Sequence, residues 1–188
     1  MGEVDKTRAG DAAAGESAAA PATWPAQGWF EGRYAGREAF RQLLRDGLAM
    51  AARAGVPELI LSDPDFSDWP LGERALVQVL NDWALVGSQR KVTLLAASYD
   101  EVVRRHALFI KWRVQWAHKI ECRRWREGDP LEVPSLLWTP QWAMRREDLD
   151  RCTGLTSCNP RLRVALREQI EQWLRRSTAG FPASVSGL

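Results

Sequence analysis

The sequence lacks the features that would place it in a membrane or in an oxidising compartment. Its apolar runs are far shorter than the roughly 18 residues that a membrane-spanning helix needs. It has three cysteines, an odd number, and no apolar signal segment, so we expect free thiols and a reducing, cytoplasmic setting. Lys and Arg total 26 against 24 Asp and Glu, and the resulting charge of +2 gives no general attraction to nucleic acid or to an anionic membrane.

Residues of catalytic and metal chemistry are also scarce. The chain has two histidines, and neither a Gly-x-Ser-x-Gly elbow nor a glycine-rich phosphate loop occurs. His118, Cys122, Cys152 and Cys158 could supply four zinc ligands, but no C-x-x-C pair is present among them. The spacing favours thiols that serve as small apolar groups, and we therefore expect no metal and no cofactor.

Between two ends rich in small residues, helical and strand patterns alternate. Composition predicts a disordered tail over residues 1–28, one α/β domain over 29–177 and a flexible tail over 178–188. Apolar residues at spacings of three and four predict helices over 36–54, 71–86, 99–116 and 161–176. Short apolar runs predict strands over 58–62, 91–97 and 118–125, followed by a hairpin of 134–138 and 141–146. This order predicts a three-layer α/β sandwich with a mostly parallel sheet and a C-terminal hairpin.

Three aspartates follow the first predicted strand in the segment LILSDPDFSDWP. Ligands in open α/β sheets bind beyond the carboxyl ends of strands, so Asp63 and Asp65 support one hypothesis, a magnesium-dependent phosphoryl-transfer enzyme. The same segment is typical of a helix start, with Ser67 or Asp68 as N-cap and Pro70 near the first turn. The pattern favours the helix start over the metal site.

Tryptophan and arginine are concentrated in the middle of the chain. Ten tryptophans occur in all, and the segment VVRRHALFIKWRVQWAHKIECRRWR holds eight Lys and Arg against one Glu. Arginine interleaved with aromatic residues supports a second hypothesis, nucleic-acid binding through Arg104 to Arg126. However, Phe109, Trp112 and Trp116 stand at helical spacing, which favours a place in the core. The candidate binding residues are Asp63, Asp65, Arg104, Arg105, Arg113, His118, Arg123 and Arg124.

The C-terminal third resembles a known family. The segments PSLLWTPQWAMRREDLDR and LRVALREQIEQWLRRS look like the end of a phospholipase D-type half-domain, in which two strands and a turn precede a helix of the form Leu-Arg-x-Gln-Phe-Glu. The helix residues that match this form are Leu166, Arg167, Gln169, Ile170 and Glu171. In outline the resemblance covers residues 36–177, and it implies a phospholipase D-like half-domain fold.

The catalytic motif of that family, His-x-Lys-x-x-x-x-Asp, does not carry over. Placing Trp142 on the aromatic residue that often follows the motif puts Glu132, Pro134 and Thr139 at the His, Lys and Asp positions, give or take one residue. In the family the histidine attacks phosphorus, so without it there is no nucleophile. The resemblance therefore implies a pseudoenzyme, similar to degenerate bacterial members, that binds a protein partner or a second copy of itself.

Overall fold

The computed structural model describes residues 28–182, so nearly all of the predicted N-terminal tail lies outside the described residues. In this range five helices form: α1 (Arg37–Arg53), α2 (Arg74–Val86), α3 (Asp100–Arg105), α4 (Ala107–Gln115) and α5 (Pro160–Arg176). The strands in this range are β1 (Gly32–Tyr34), β2 (Glu58–Ser62), β3 (Lys91–Ala96), β4 (Ile120–Arg124), β5 (Leu136–Trp138), β6 (Ala143–Asp148), β7 (Thr153–Ser157) and β8 (Thr178–Ala179). No helix among these residues is long and apolar enough to cross a membrane.

The strands form one mixed sheet in the order β1-β7-β6-β5-β2-β3-β4-β8. Only the β2/β3 and β3/β4 pairs are parallel, and the other five of the seven pairs are antiparallel. The prediction of a mostly parallel sheet is therefore wrong. Its error comes from β1, β7 and β8, which are short, partly polar strands that give almost no apolar signal in the sequence.

Helices cover both faces of the sheet, which gives the predicted layers. On one face, residues of α1 to α4 pack with the β2 and β3 side chains Leu59, Leu61 and Leu94. On the other face, α5 packs on the alternate side chains Ile60 and Leu95. Successive residues of a strand point to opposite faces, so these two continuous apolar strands serve both cores.

The predicted helix over 99–116 is broken into α3 and α4 at His106. The backbone of His106 leaves helical geometry, with φ −118° and ψ 48°, and its buried ring reaches Phe66 of the loop after β2, with Nε2 3.3 Å from the carbonyl oxygen. This tertiary contact overrides a continuous helical pattern. After the break, α4 packs against α2.

The predicted flexible tail over 178–188 begins with residues that the structure places in the sheet. Thr178 and Ala179 pair with Arg124 and Arg123 of β4, and the N–H of Gly180 donates to the carbonyl oxygen of Cys122. Residues 183–188 lie outside the described residues.

Candidate functional site at the carboxyl edge of the parallel strands

Asp63 directly follows β2 and is fully buried. Its Oδ1 accepts the backbone N–H groups of Asp65 at 3.2 Å and Phe66 at 2.9 Å. The Oδ1 of Asp65 in turn accepts the N–H of Ser67 at 2.8 Å. These bonds close a tight turn in which Phe66 has a φ of 61°, an uncommon conformation for a residue with a bulky side chain. The two aspartates thus shape the loop between β2 and α2.

The second carboxylate oxygen of Asp63 is the centre of a buried polar network. Oδ2 accepts the indole N–H of Trp69 at 2.9 Å, the hydroxyl of Ser135 at 2.6 Å and Nη2 of Arg146 at 2.7 Å. Ser135 precedes β5 and Arg146 lies in β6, so the network joins three neighbouring strands of the sheet. We call Asp63, Ser135, Arg146 and Asp68 the edge network.

Every donor group of Arg146 is used within the edge network or next to it. Besides its bond to Asp63, Nη1 donates to Oδ2 of Asp68 at 2.8 Å and Nε donates to the Ser135 hydroxyl at 3.0 Å. The guanidinium also lies 4.4 Å above the ring of Phe40. The side chain is only 3% exposed, and a charge so deeply buried requires this complete set of partners.

Electrostatics at the edge network favour the ion pair over its neutral form. Burial alone would lower the pKa of Arg146, but the charge of Asp63 and the bond to Asp68 hold it above its ordinary value. Nearby, burial raises the pKa of Tyr34 well above its ordinary range. The hydroxyl of Tyr34 donates to the carbonyl oxygen of Arg145 at 3.3 Å and is held as a neutral group.

The geometry of Asp63 leaves no lone pair for a metal. A carboxylate has about four acceptor sites, and Asp63 already accepts five hydrogen bonds. Asp65 is directed at Ser67, not at a site shared with Asp63. Among residues 28–182, no three His, Cys, Asp or Glu side chains are grouped so that they could hold a metal ion.

The alternative prediction, that Ser67 or Asp68 caps the second helix, is wrong. Helix α2 begins at Arg74 after Glu73, which makes no side-chain capping bond. Asp68 instead forms ion pairs with Arg37 through Oδ1 at 2.8 Å and with Arg146 through Oδ2 at 2.8 Å. The loop is organised by long-range charge pairs that the local sequence does not show.

The predicted binding arginines of the central segment bond to groups outside the edge network. Arg113 is buried and donates to the carbonyl oxygens of Phe181 and Pro182, while Arg124 donates to that of Ala97. Arg123 donates to the hydroxyl of Ser177 at 3.0 Å. Arg113 and Arg123 thus bind residues 177–182, which we call the C-terminal segment, and Arg124 binds the residue that follows β3.

The remaining predicted site residues lie on the surface. Arg104 and Arg105 are exposed, and both pair with Glu101. His118 is exposed and precedes β4, which places it at the opposite edge of the sheet from Asp63. Of the possible zinc ligands, Cys122 lies in β4, and four strands separate β4 from β7, which follows Cys152. The structure therefore does not bring the predicted site residues together.

The central tryptophans belong to the core. Trp112 and Trp125 are 3% and 5% exposed. Trp116 is half-buried, and its indole N–H donates to Oδ1 of Asn81 at 3.1 Å. The prediction of core packing is confirmed, and a platform of exposed, stacking tryptophans is not present in the described residues.

Sequence reasoning missed Arg146 and Ser135, although a signal for Arg146 exists. Met144 and Arg146 stand two positions apart in a strand, so both face the same side, and Met144 is buried. A charged residue on the same face of a strand as a buried residue is itself expected to be buried, and a buried charge needs an oppositely charged partner. Its partner, Asp63, could not be identified because 83 positions separate the two residues.

Comparisons with known proteins give likeness in fold only. No family model and no curated protein sequence matches the chain. NucT from Helicobacter pylori superposes with a TM-score of 0.55 at 6% identity, covering 80% of this chain and 99% of NucT. TrmBL2, an archaeal chromatin protein whose structure shows a novel mode of DNA binding, superposes with a TM-score of 0.57 at 15% identity. That match covers 80% of this chain and 55% of TrmBL2, so the chain spans about half the length of the chromatin protein.

Proposed function

We propose that the chain is a non-catalytic phospholipase D-like domain that acts as a binding module. The observation that carries this proposal is the edge network. Pro134, at the position where the resemblance places the catalytic lysine, adjoins Ser135, which donates to the buried Asp63. Where the catalytic histidine would lie, Glu132 is exposed in a short 3-10 turn. NucT from Helicobacter pylori superposes on 80% of this chain, which supports the proposed fold.

His106 does not supply the missing nucleophile. Its ring lies near this edge, but it is 6% exposed, and its Nε2 must be protonated to donate to the carbonyl oxygen of Phe66. Nδ1 is buried without a partner among the described residues. An attacking imidazole needs a lone pair that the substrate can reach, and neither nitrogen of His106 offers one.

Hydrolysis assays test the absence of catalysis. Bis(p-nitrophenyl) phosphate and supercoiled plasmid DNA are incubated with the protein, with and without millimolar magnesium. We expect no turnover above that of a heat-inactivated sample, and no magnesium-dependent rise in the thermal midpoint, because Asp63 has no lone pair for the ion. Turnover that disappears in His106→Ala or His118→Ala would overturn the proposal.

The partner that we propose for this edge is a second copy of the chain. The loop between β4 and β5 carries Leu131, which is 66% exposed on the 3-10 turn. A contact with a second copy at this edge would cover this apolar side chain, so a charge introduced there tests the contact directly. Sedimentation velocity over a range of concentrations should show a dimer that weakens in Leu131→Glu.

The matched control for this experiment is Leu85→Glu. Leu85 is 62% exposed near the end of α2, away from this edge. Its replacement should leave the dimer unchanged. A monomer at all concentrations, or equal weakening by both variants, would contradict a dimer formed through Leu131.

A second candidate function is nucleic-acid binding. The observation that favours it is the fold shared with TrmBL2, an archaeal chromatin protein reported to bind DNA. Fluorescence anisotropy against single- and double-stranded oligonucleotides at two salt concentrations tests it, since phosphate contacts must weaken as salt rises.

A further inference from the structure

Helices α2 and α4 enclose a groove of about 340 Å³ that is not part of the edge network. The side chains that matter for its chemistry are Arg74, Gln78 and Asn81 from α2, and Lys111, Trp112 and Gln115 from α4. Together with Val77 and Leu108 they fall at positions i, i+3, i+4 and i+7 of each helix, so they form one continuous stripe per helix. The volume is within the range of small-ligand clefts.

The groove has positive charge that no protein group neutralises. Arg74 and Lys111 are exposed, and neither forms an ion pair or a side-chain hydrogen bond with any residue between 28 and 182. Other exposed basic residues of the same side, Arg104 and Arg105, are already paired with Glu101. No Asp or Glu lines the groove. An anionic ligand would therefore meet two cations, one from each helix.

The groove is also rich in hydrogen-bond donors. Oδ1 of Asn81 accepts the indole N–H of Trp116, which leaves the amide N–H groups of Asn81 for another acceptor. Trp112 lines the groove and is 3% exposed; its indole N–H is covered in the unliganded protein and has no acceptor among the described residues, so a ligand reaches it only when neighbouring side chains move. A buried donor without a partner is uncommon in folded proteins and calls for an explanation.

We propose that the groove between α2 and α4 binds a phosphate ester, with Arg74 and Lys111 pairing with the phosphate oxygens and Asn81 and Trp112 donating hydrogen bonds. Two cations match the charge of about −1.5 to −2 that a phosphate monoester carries near pH 7. The oxygens around phosphorus are also directed to several sides and can reach donors on both helices, whereas the two oxygens of a carboxylate lie in one plane. This inference rests on the proposed binding role and adds a ligand class to it. The groove lies away from the edge network, so an experiment can refute the phosphate-ester site without refuting the proposed non-catalytic role, and the reverse.

Two sources of the phosphate ester are distinguished by the probes. Calorimetric titrations use adenosine 5′-monophosphate, a single-stranded deoxythymidine decamer, and succinate as a carboxylate of similar charge. We expect one or both phosphate probes to bind and succinate not to bind. The mononucleotide alone indicates a free nucleotide, and the decamer alone indicates a nucleic-acid strand. Succinate binding as tight as that of the phosphate probes would overturn the proposal.

Variants connect the binding to the groove. The double variant Arg74→Glu/Lys111→Glu should weaken the phosphate probe by at least about tenfold, since two charge-assisted contacts become repulsive. The control double variant, Arg161→Glu/Arg175→Glu, makes the same change in net charge at exposed positions of α5, on the other face of the sheet. It should stay within about twofold of the original chain, because charges beyond the Debye length are screened. Equal weakening in both double variants, or no binding of either phosphate probe, would overturn the site.

The NMR signal of the Trp112 indole N–H reports contact within the groove, because general charge attraction to the protein surface would not shift it. The indole N–H resonance of Trp112, assigned from its loss in Trp112→Phe, should shift when the phosphate probe is added to the original chain. Circular dichroism confirms that each variant is folded. If Trp112→Phe does not fold, sequential backbone and side-chain assignment of the isotope-labelled original chain identifies the Trp112 resonance instead. An unmoved resonance at saturating probe would refute the contact. Phosphodiester turnover in the same samples would overturn the non-catalytic role and leave the groove untouched.

Discussion

The bond between Arg146 and Asp63 joins two side chains that are 3% and 0% exposed, so neither charge has access to water as a substitute partner. Removing one member of a buried pair leaves an uncompensated charge. We expect Arg146→Met to lower the free energy of unfolding by about 3–5 kcal/mol. Urea denaturation monitored by fluorescence measures this free energy of unfolding. The control Arg33→Ala removes an ion pair whose arginine is 80% exposed and should cost about 1 kcal/mol or less.

Coupling between the two residues separates the ion pair from simple packing. Asp63→Asn keeps an oxygen for the backbone N–H groups of Asp65 and Phe66 and removes the charge. In the double variant with Arg146→Met, we therefore expect a smaller loss of stability than the sum of the two single losses. Strict additivity would contradict a buried, mutually dependent pair.

His106 should make the stability of the fold depend on pH. Burial lowers the pKa of its ring and outweighs the raising effect of the bond to the Phe66 carbonyl, while the smaller effects of Arg105, Glu101 and Arg41 are lowering, raising and lowering in turn. The unfolded chain therefore binds a proton near the ordinary pKa of about 6.5 while the folded chain does not. Stability is fully present above that pH and decreases as the pH falls below it. Comparing denaturation at several pH values for the original chain, His106→Gln and the exposed-site control His118→Gln measures the effect. An equal slope in all three would refute it.

For single residues, the sequence shows where a residue lies relative to the helices and strands, but not which distant residues it contacts. It marks Asp63 and Asp65 as the residues beyond the first strand, and they do lie there. It cannot show that Asp63 binds Arg146 and Ser135, because those contacts depend on which strands become neighbours. A metal hypothesis and a structural ion pair therefore look alike until the topology is known.

At the scale of the elements, the C-terminal segment is held in place by arginines from the middle of the sequence. The ring of Phe181 stacks on Tyr99 with centroids 4.9 Å apart, and the guanidinium of Arg113 lies 4.2 Å above it. We expect Phe181→Ala to cost about 1–3 kcal/mol of unfolding free energy, from one aromatic pair and one cation–π contact. Hydrogen exchange should be faster at the N–H of Gly180, which bonds to Cys122.

The control for the C-terminal segment is Val164→Ala on α5. Val164 is 56% exposed, so its loss should change stability by about 0.5 kcal/mol or less. Unchanged exchange at Gly180 in Phe181→Ala would show that β8 holds to β4 without the aromatic contact.

Elements with strong apolar patterns were predicted well, and elements defined by their neighbours were not. The strand over 58–62 matches β2, and the helix over 36–54 matches α1 to within one residue at each end. Strand β7, with the sequence TGLTS, has no long apolar run and exists because β1 and β6 flank it. Its Gly154 has no space for a side chain, since a Cβ would lie 2.1 Å from the carbonyl oxygen of Arg145. Such a requirement cannot be read from local periodicity.

For the whole molecule, the strand order explains why the polar groups of the edge network can bind one another. The parallel strands β2, β3 and β4 end at one edge, and the antiparallel strand β5 starts beside the end of β2. Ser135 and Asp63 are brought together by that arrangement, and Arg146 reaches them from β6. A pattern of local elements predicts the central parallel strands, but not the antiparallel strands that close the edge.

The charge balance of the whole chain gives the last prediction, on the salt dependence of any nucleic-acid binding. A net charge of +2 provides no diffuse attraction, so binding must come from local cations, of which Arg74 and Lys111 are unpaired in one groove. Two phosphate contacts predict a slope of log affinity against log salt of about −1.4 on single strands and about −1.8 on duplexes. Anisotropy titrations over a range of salt concentrations measure the slope. Arg74→Glu/Lys111→Glu should bring it close to zero, whereas a steep slope that survives this change would place the contacts elsewhere on the surface.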